Sequence, residues 1–386
     1  MLYKENWEGV KKRWADYWKR SNTGLPLMYL IARNEKQEGI FQEARKSGQA
    51  YRVHPPELAS QDLFDKYRNP RRIVERFRYY AEHHHFLADS FPNVSADFGP
   101  GSVAGYLGSE IVFQPNTVWF EHCVEDWKDY PPLRFDPENK WWKEHYQLIK
   151  DVRALAGDDF YVAIPDLMEN IDVLASLRGT EPALYDMIDE PEEVLERITQ
   201  VGEAYFEYYD RFYEVVKNEA DGGSCYTVFQ IWGPGRTVKL QCDFSALMSP
   251  GNFRDFIQES LRIQARRLDN VLYHLDGPDA IKHTDALMEI EEIDALQWTS
   301  GDHGPDGTLE DWDIIYDKVR AAGKSLWIRV YSGDYDDWIR GADRIVKKYG
   351  SRGLFFMFPH MSLAQAEGLL KYARGNWSDV EGIFKW

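Results

Sequence analysis

Cysteine is scarce in this sequence. The three cysteines among 386 residues, Cys123, Cys225 and Cys242, are too few and too widely spaced for a disulfide framework or a cysteine-based zinc site. This usage is typical of a reduced, cytoplasmic setting. Long apolar runs are lacking too, because no stretch approaches the roughly 18 apolar residues that a membrane span needs. The first 22 residues carry Lys, Glu and Trp at helical spacing instead of a signal-peptide core, so neither a membrane protein nor an exported one is expected.

Basic residues are also in deficit. Lys and Arg number 46 against 64 Asp and Glu, which gives a formal net charge of −18. A surface of this sign repels phosphate backbones and anionic lipids, so nucleic-acid and membrane partners are not expected. In contrast, hydrophobic residues make up 44% of the chain, and 14 Trp and 23 Tyr are present. These residues are enough for a large core, and we expect some rings to line a cleft and stack on a ligand.

Short apolar segments alternate with helical sequence along the whole chain. Eight such segments are predicted as strands, at residues 25–32, 86–94, 160–164, 225–230, 271–274, 293–298, 326–330 and 354–358. Their continuous apolar character is typical of parallel strands covered on both faces. Eight strand–helix units predict an α/β protein with a (β/α)8 TIM barrel.

The predicted barrel is one domain over residues 1–386, with an N-terminal helical extension at 1–24 and an insertion loop at 95–137. A doubly wound open sheet is the alternative. It usually carries a glycine-rich phosphate-binding turn after its first strand, and residues 32–35 contain no such turn. The oligomeric state is open, although barrels of this size often pair as homodimers.

The segment 271–278 ends in His274 and Asp276, two residues apart on a predicted strand. Side chains at this spacing share a face, so both would project from the carboxyl end of the strand, where barrels of this type carry their chemistry. An imidazole and a carboxylate placed in this way can bind a divalent metal, or act as a base and its orienting partner. The competing interpretation is a strand-end Asp that caps the next helix beside a hydrogen-bonded His.

Other polar and aromatic residues fall at the predicted strand ends. For a metal site we expect His274, Asp276 and His360, with His303 or Asp166 as a further ligand, and zinc as a suitable ion. For catalysis without metal we expect His274 with Asp276, and Asp166 or Asp243 as a second carboxylate. His83, His84 and His85 are predicted to be solvated or packed. The candidates for substrate binding are Arg33, Gln230, Trp232, Trp298, His303, Arg329 and Tyr331.

A set of short motifs occurs in an order that one known superfamily shares. The motifs are Pro165-Asp-Leu167, Leu177-Arg-Gly179, Leu184-Tyr-Asp-Met-Ile188, Asp243-Phe-Ser245 and Tyr273-His-Leu-Asp-Gly277, followed by the closing strand and residues 362–370. With these motifs the chain resembles the uroporphyrinogen decarboxylase (URO-D) superfamily, as a divergent member. The resemblance implies a (β/α)8 barrel. It also implies an activity among the porphyrinogen decarboxylases and the zinc-dependent methyltransferases that act on corrinoid proteins or thiols.

The sequence departs from that family pattern in two regions. The decarboxylases hold substrate carboxylates with several arginines after the first strand, where this chain has only Arg33. The methyltransferases bind zinc partly through cysteine, where this chain has His274-Leu-Asp276 and Phe358-Pro-His360. The resemblance therefore implies a metal site of oxygen and imidazole ligands.

Three functions are compatible with these features. The first is metal-assisted methyl transfer from a small methylated substrate, with a corrinoid protein or cofactor as the acceptor. The second is a decarboxylase or other lyase that uses carboxylate and His acid–base chemistry on a small polar or sugar-like substrate. The third is a non-catalytic barrel that only binds a ligand.

Overall fold

A central, mostly parallel sheet of eight strands with surrounding helices organises the mixed α/β fold. The computed structural model describes residues 1–59, 62–301 and 304–383. The strands are β1 (Leu27–Arg33), β2 (His84–Ala88), β3 (Asn93–Val94), β4 (Ile111–Phe113), β5 (Val118–Phe120), β6 (Tyr161–Val162), β7 (Ser224–Tyr226), β8 (Ile231–Gly233), β9 (Thr237–Gln241), β10 (Asn270–Asp276), β11 (Ala295–Thr299), β12 (Ser325–Arg329), β13 (Leu354–Met357) and β14 (Met361–Ser362). The α-helices are α1 (Trp7–Trp18), α2 (Glu35–Ser47), α3 (Leu63–Tyr67), α4 (Pro70–Glu82), α5 (Ser102–Tyr106), α6 (Lys140–Ala156), α7 (Asn170–Arg178), α8 (Thr180–Asp189), α9 (Pro191–Val216), α10 (Pro250–Asn252), α11 (Glu259–Ala265), α12 (Thr284–Met288), α13 (Asp313–Ala321), α14 (Tyr335–Tyr349) and α15 (Leu363–Asn376).

The strand order of the main sheet is β14-β1-β13-β12-β11-β10-β9, and β2 adds to β1. All of these pairings are parallel except β1 with β2. A parallel pair of β3 and β6 continues the arrangement, and a parallel bridge joins Ile164 to Tyr226 at the end of β7. The arrangement is barrel-like. Within the described ranges, however, no ladder joins β2 to β3 or β7 to β9, so hydrogen bonding does not close the sheet.

The register of the parallel strands places several polar side chains on one face of the sheet. His274 on β10 lies beside Gln241 on β9 and Gln297 on β11, and Gln297 lies beside Trp327 on β12. Because side chains alternate along a strand, Lys239, Gln241, His274, Asp276, Gln297, Thr299, Trp327 and Arg329 share one face of the sheet.

Helix α1 covers the amino ends of these strands with aromatic side chains. Trp14 is fully buried, and its indole Nε1 donates to the Asp89 carbonyl at 3.1 Å. The Tyr17 hydroxyl donates to the Leu326 carbonyl at 3.3 Å, and Trp18 Nε1 donates to the Trp232 carbonyl at 2.8 Å. The N-terminal helix is therefore part of the core.

We expect Trp14→Ala to lower the free energy of unfolding by about 3–5 kcal/mol, because it leaves a large cavity and removes a buried hydrogen bond. Urea denaturation followed by circular dichroism measures the change. Trp119→Ala is the matched control, since Trp119 is 64% exposed and its loss should cost about 0.5 kcal/mol or less. Equal destabilisation by the two substitutions would contradict the packing role of α1.

The predicted second strand, 86–94, is wrong as one continuous strand. The chain enters β2 antiparallel to β1, turns at Asp89 and Ser90, and resumes as the short β3. Asp89 anchors this turn, because its Oδ2 accepts from the Met28 amide at 2.9 Å and its Oδ1 accepts from Arg13 Nε at 2.6 Å. The buried Asp89 carboxylate, bonded to two groups that are distant in the sequence, therefore fixes the turn that interrupts the apolar segment.

The predicted fourth strand, 225–230, is also shorter than expected. Strand β7 ends at Tyr226, and Gln230, with a φ of 51°, allows the chain to fold back as the antiparallel β8. Strand β9, which the sequence did not predict, then takes the place beside β10. Its central Lys239 interrupts the apolar pattern expected of a buried strand.

Helices follow most of the predicted strands, as the alternating pattern of the sequence indicates, and α14 is one of them. The helical segment after β9 contains a π-helical turn at Phe253–Gln258, and the helical segment after β10 begins as a 3-10 helix at Pro278–His283. The insertion at 95–137 contains α5 and the β4–β5 hairpin. Among the described helices, none combines the length and apolarity needed to cross a membrane.

Candidate functional site

The carboxyl ends of β9 and β10 bring together one imidazole and two carboxylates. One ligand atom from each of Asp243, His274 and Asp276 lies within 4.8 Å of the others. In the part of the chain that the structure describes, this is the only group of three or more His, Cys, Asp or Glu side chains close enough together to share a metal ion. His274 and Asp276 project from β10, and Asp243 opens the 3-10 helix that follows β9.

A hydrogen-bond chain fixes the orientation of the His274 ring. Its Nδ1 donates to Gln297 Oε1, and Gln297 Nε2 donates to Thr299 Oγ1 at 2.9 Å. Burial lowers the pKa of His274, and nearby Lys239 lowers it further, despite opposing effects of Gln297 and Asp276. The neutral ring therefore keeps a free lone pair on Nε2, the nitrogen that a metal ion or a proton donor would use.

The end of β9 holds the Asp243 side chain, and helix α7 holds its backbone. Gln241 Nε2 donates to Asp243 Oδ2 at 2.8 Å, while Asp172 accepts from the amides of Asp243 and Phe244 at 2.9 and 2.8 Å. Asp243 is solvent-accessible, although protein surrounds it on most sides. Burial, together with Asp276 and Asp166, raises the pKa of Asp243 to about 6 although Lys239 opposes the change.

Asp276 carries the least satisfied atom of the group. Among the described residues, no donor reaches its buried Oδ1. A buried carboxylate oxygen without a partner is costly. An imidazole and a second carboxylate lie beside the Asp276 side chain, and these are the neighbours expected of a cation ligand. The three donors therefore fit a divalent ion such as zinc, which accepts both oxygen and imidazole nitrogen.

Lys239 is the functional residue that the sequence did not reveal. Its side chain is fully buried, and its ammonium lies 2.9 Å from Asp166 Oδ1 and donates to Gln241 Oε1. The Tyr226 hydroxyl also donates to Asp166 Oδ1, at 2.5 Å. Burial alone would raise the pKa of Asp166, but Lys239 and Tyr226 lower it below its ordinary value. Asp166 is therefore an ionised partner of Lys239, and it is not part of the three-ligand group.

Asp97 extends this network on the other side of Asp166. Its Oδ2 accepts from the Asp166 amide at 2.6 Å and its Oδ1 from the Gly99 amide at 2.8 Å. Burial and the nearby Asp166 charge raise the pKa of Asp97 to about 7. A carboxyl group with this pKa is largely protonated in mildly acidic solution.

The raised pKa of Asp97 leads to a pH-dependent prediction. The protonated carboxyl favours the folded state, and this contribution is lost as the pH rises through about 7. Asn does not ionise, so only the wild-type protein loses this contribution as the pH rises. The decrease in unfolding free energy caused by Asp97→Asn should therefore be smaller at about pH 8 than at pH 5, by roughly 1–3 kcal/mol. Urea denaturation of both proteins at each pH measures the difference. A cost that stays constant or grows with pH would contradict the assignment.

Arg33 and His360 contact each other, and neither belongs to the three-ligand group. Arg33 Nε donates to Glu38 Oε2 at 2.7 Å, and Arg33 Nη1 donates to the His360 carbonyl at 3.0 Å. The His360 ring contacts the Tyr80 hydroxyl at 3.2 Å. Arg33 therefore orders the loop that carries His360. The structure does not bring His360 into the group that His274 and Asp276 form.

Three of the residues predicted for substrate binding make contacts within the protein core. Trp298 lies on the opposite face of β11 from Gln297 and packs against Trp312 at a ring distance of 5.1 Å. Trp232 packs against Trp7 of α1. Gln230 accepts from Asn93 Nδ2 at 2.8 Å. A single strand does not reveal which of its faces a large ring will occupy.

Two others lie at the carboxyl end of β12. Arg329 is exposed on the same face as Trp327, and its guanidinium lies 5.6 Å from the centre of the Tyr331 ring. Tyr331 is 41% exposed and its hydroxyl donates to the Gly304 carbonyl at 3.0 Å. His303, the remaining candidate, lies outside the described residues.

An apolar groove opens beside Asp243. It has a volume of about 460 Å³, and Trp119, Phe244 and Leu247 are among its lining residues. On the other side of the group, the Phe229 ring lies 5.0 Å from the His274 ring. The site therefore combines a small polar centre with aromatic walls, which is typical of small-molecule sites.

The fold and site together define a barrel-like α/β protein with an acidic, imidazole-containing centre at the carboxyl ends of parallel strands. Among solved structures, the chain is similar to a methyltransferase from Methanosarcina mazei, with a TM-score of 0.59 and 13% sequence identity. The match covers 95% of this chain and 98% of that chain. At this identity the similarity concerns the fold. No protein-family model and no curated protein matches the sequence.

Proposed function

We propose that this chain is a URO-D-like barrel enzyme, a methyltransferase that removes a methyl group from a small methylated substrate. The observation that carries the proposal is the convergence of Asp243, His274 and Asp276 at the carboxyl ends of β9 and β10, with one carboxylate oxygen that no described residue contacts by a hydrogen bond. The similarity in fold to a methyltransferase of known structure also supports the proposal. The whole chain acts as a single (β/α)8 domain in this proposal.

A divalent metal ion, with zinc as the best candidate, would be held by Asp243, His274 and Asp276. When bound, it would supply Lewis-acid polarisation of the heteroatom that carries or accepts the methyl group. His360, which the sequence analysis included among the ligands, is replaced by Asp243 in this set. A corrinoid protein is the proposed methyl acceptor, as the family resemblance implies.

The surrounding residues hold the centre in place. Gln297 fixes the His274 ring, Gln241 fixes the Asp243 carboxylate, and Lys239 balances the charge of Asp166. Phe229 covers one side of the imidazole and limits access of water. The apolar groove beside Asp243 would hold the body of the substrate, and the exposed Arg329 offers a positive charge for an anionic substituent.

Methyl transfer to a reduced corrinoid tests the proposal directly. The purified chain is incubated with zinc, cob(I)alamin and a panel of O-, N- and S-methylated small molecules, and the corrinoid absorbance is followed. We expect a spectral change with at least one substrate that disappears on chelation of the metal. Loss of carbon dioxide, or of another fragment, from a substrate without transfer of a methyl group would contradict it.

Acid–base lyase chemistry is the second candidate. It is favoured by one observation: Asp243, with its pKa raised to about 6, lies beside the neutral His274. A carboxyl group near its pKa and a neutral imidazole can act as a proton donor and acceptor pair. Chelation separates the two functions, because turnover by the acid–base route would survive removal of the metal.

A further inference from the structure

A second group of imidazoles lies on β2 and in the loop after β13. The rings of His84 and His360 are 5.7 Å apart, between centroids. The His84 side chain is only 5% exposed, whereas His360 is accessible to solvent. The sequence analysis predicted His84 to be packed or solvated, and the structure shows it packed beside His360.

Tyr80 on α4 contacts both rings and fixes their orientation. His84 Nδ1 donates to the Tyr80 carbonyl at 2.8 Å, and His360 Nε2 lies 3.2 Å from the Tyr80 hydroxyl. The His84 ring also stacks on the Tyr80 ring at a centroid distance of 4.2 Å. A histidine that binds a metal usually uses its second nitrogen in this way, to donate to a carbonyl or another oxygen.

The remaining nitrogen of His84 has no partner in the described parts of the chain. Its Nε2 is buried and unsatisfied. Since Nδ1 carries the proton, Nε2 presents a lone pair. An imidazole with one nitrogen bonded to a carbonyl and a bare lone pair on the other has the form in which histidine binds a metal ion.

We propose that His84 and His360 form a second metal site, which binds a late transition-metal ion such as copper(II), nickel(II) or zinc. His84 supplies Nε2 and His360 supplies Nδ1. A ligating nitrogen lies about 2.0–2.1 Å from such an ion, so two imidazole rings on one ion have centres roughly 4.5–6.4 Å apart, depending on the angle between the two bonds. The observed 5.7 Å agrees with this geometry.

The charge around the two rings permits a cation. Arg33 is nearby, and its guanidinium is 2.7 Å from Glu38, which compensates part of its positive charge. The solvent-accessible His360 provides the path by which an ion enters, and it leaves room for water or a ligand on the open side. Imidazole nitrogen suits copper, nickel and zinc better than magnesium or calcium. The inference depends only on this cluster, and not on the proposed function.

Copper(II) is the probe that tests the site, because its electron paramagnetic resonance spectrum reports bound nitrogen. A His274→Gln/Asp276→Asn background removes the first site. One equivalent of copper(II) is added in the presence of excess glycine, which competes with isolated surface histidines. We expect tight binding of one ion per chain with superhyperfine coupling to two imidazole nitrogens.

The variant His84→Asn is designed to spare the fold, because the Asn amide can still donate to the Tyr80 carbonyl while Nε2 is lost. It should lower the copper affinity at least about tenfold and remove one nitrogen coupling. His360→Gln, at a solvent-accessible position, should do the same and covers the case in which His84→Asn does not fold. The matched control His85→Ala, an exposed neighbour on β2, should leave binding unchanged. Copper binding that neither His84→Asn nor His360→Gln alters, or that His85→Ala alone alters, would overturn the proposal.

Discussion

Replacing His274 with alanine is expected to lower the zinc affinity of the Asp243–His274–Asp276 centre by roughly 100-fold or more and to abolish turnover. Loss of a group that only orients a ligand already costs about 10–100-fold in metal affinity, and His274 is the single nitrogen of this set. Isothermal titration with zinc measures the affinity, and the corrinoid absorbance assay measures turnover.

His85→Ala is the control for this experiment, since it removes an exposed imidazole on another strand. It should leave zinc affinity at the centre and turnover unchanged. Gln297→Leu is a second informative variant, because it preserves His274 but removes the acceptor that fixes its ring. We expect an intermediate loss of affinity. Full zinc affinity in His274→Ala would contradict the proposed centre.

Replacing Lys239 with methionine is expected to lower the free energy of unfolding by about 3–5 kcal/mol. The substitution leaves the Asp166 carboxylate buried without its cation, while the methionine retains most of the side-chain volume. Urea denaturation near neutral pH measures the loss. In the variant, the pKa of Asp166 should rise, because Lys239 is the main group that lowers it.

A double-mutant cycle tests whether this cost arises from the ion pair. Asp166→Asn/Lys239→Met should be clearly more stable than the sum of the two single effects predicts, since neither charge is then left unpaired. Lys140→Met is the control, because Lys140 is mostly exposed and its pairing with Glu110 should contribute about 1 kcal/mol or less. Additive effects of the two buried substitutions would contradict the coupling.

Part of the site could be predicted from the sequence because it depends on local geometry. His274 and Asp276 are two residues apart at the end of an apolar run, and strand alternation is enough to place them on one face. Asp243 was also predicted as a site carboxylate, although not as a metal ligand. Its new role follows from the position of β9 beside β10, which the sequence pattern did not reveal.

Lys239 could not be predicted, because its role depends on a distant residue. A lysine in the middle of a short strand indicates exposure unless a buried carboxylate compensates its charge. The compensating group, Asp166, lies on a different strand–helix unit. In the same way, the assignment of His360 to the first metal site depended on the expectation that the ends of distant strands lie close together. The side chain instead contacts Tyr80 and His84, and β2 reaches that position only because it runs antiparallel to β1.

Anomalous diffraction at the zinc absorption edge, from crystals grown with zinc, tests the central claim most directly. The account predicts a peak between β9 and β10, about 2.0–2.2 Å from an oxygen of Asp243, Nε2 of His274 and Oδ1 of Asp276. A zinc-loaded crystal with no peak at this position, or with a peak that these three side chains do not contact, would contradict it.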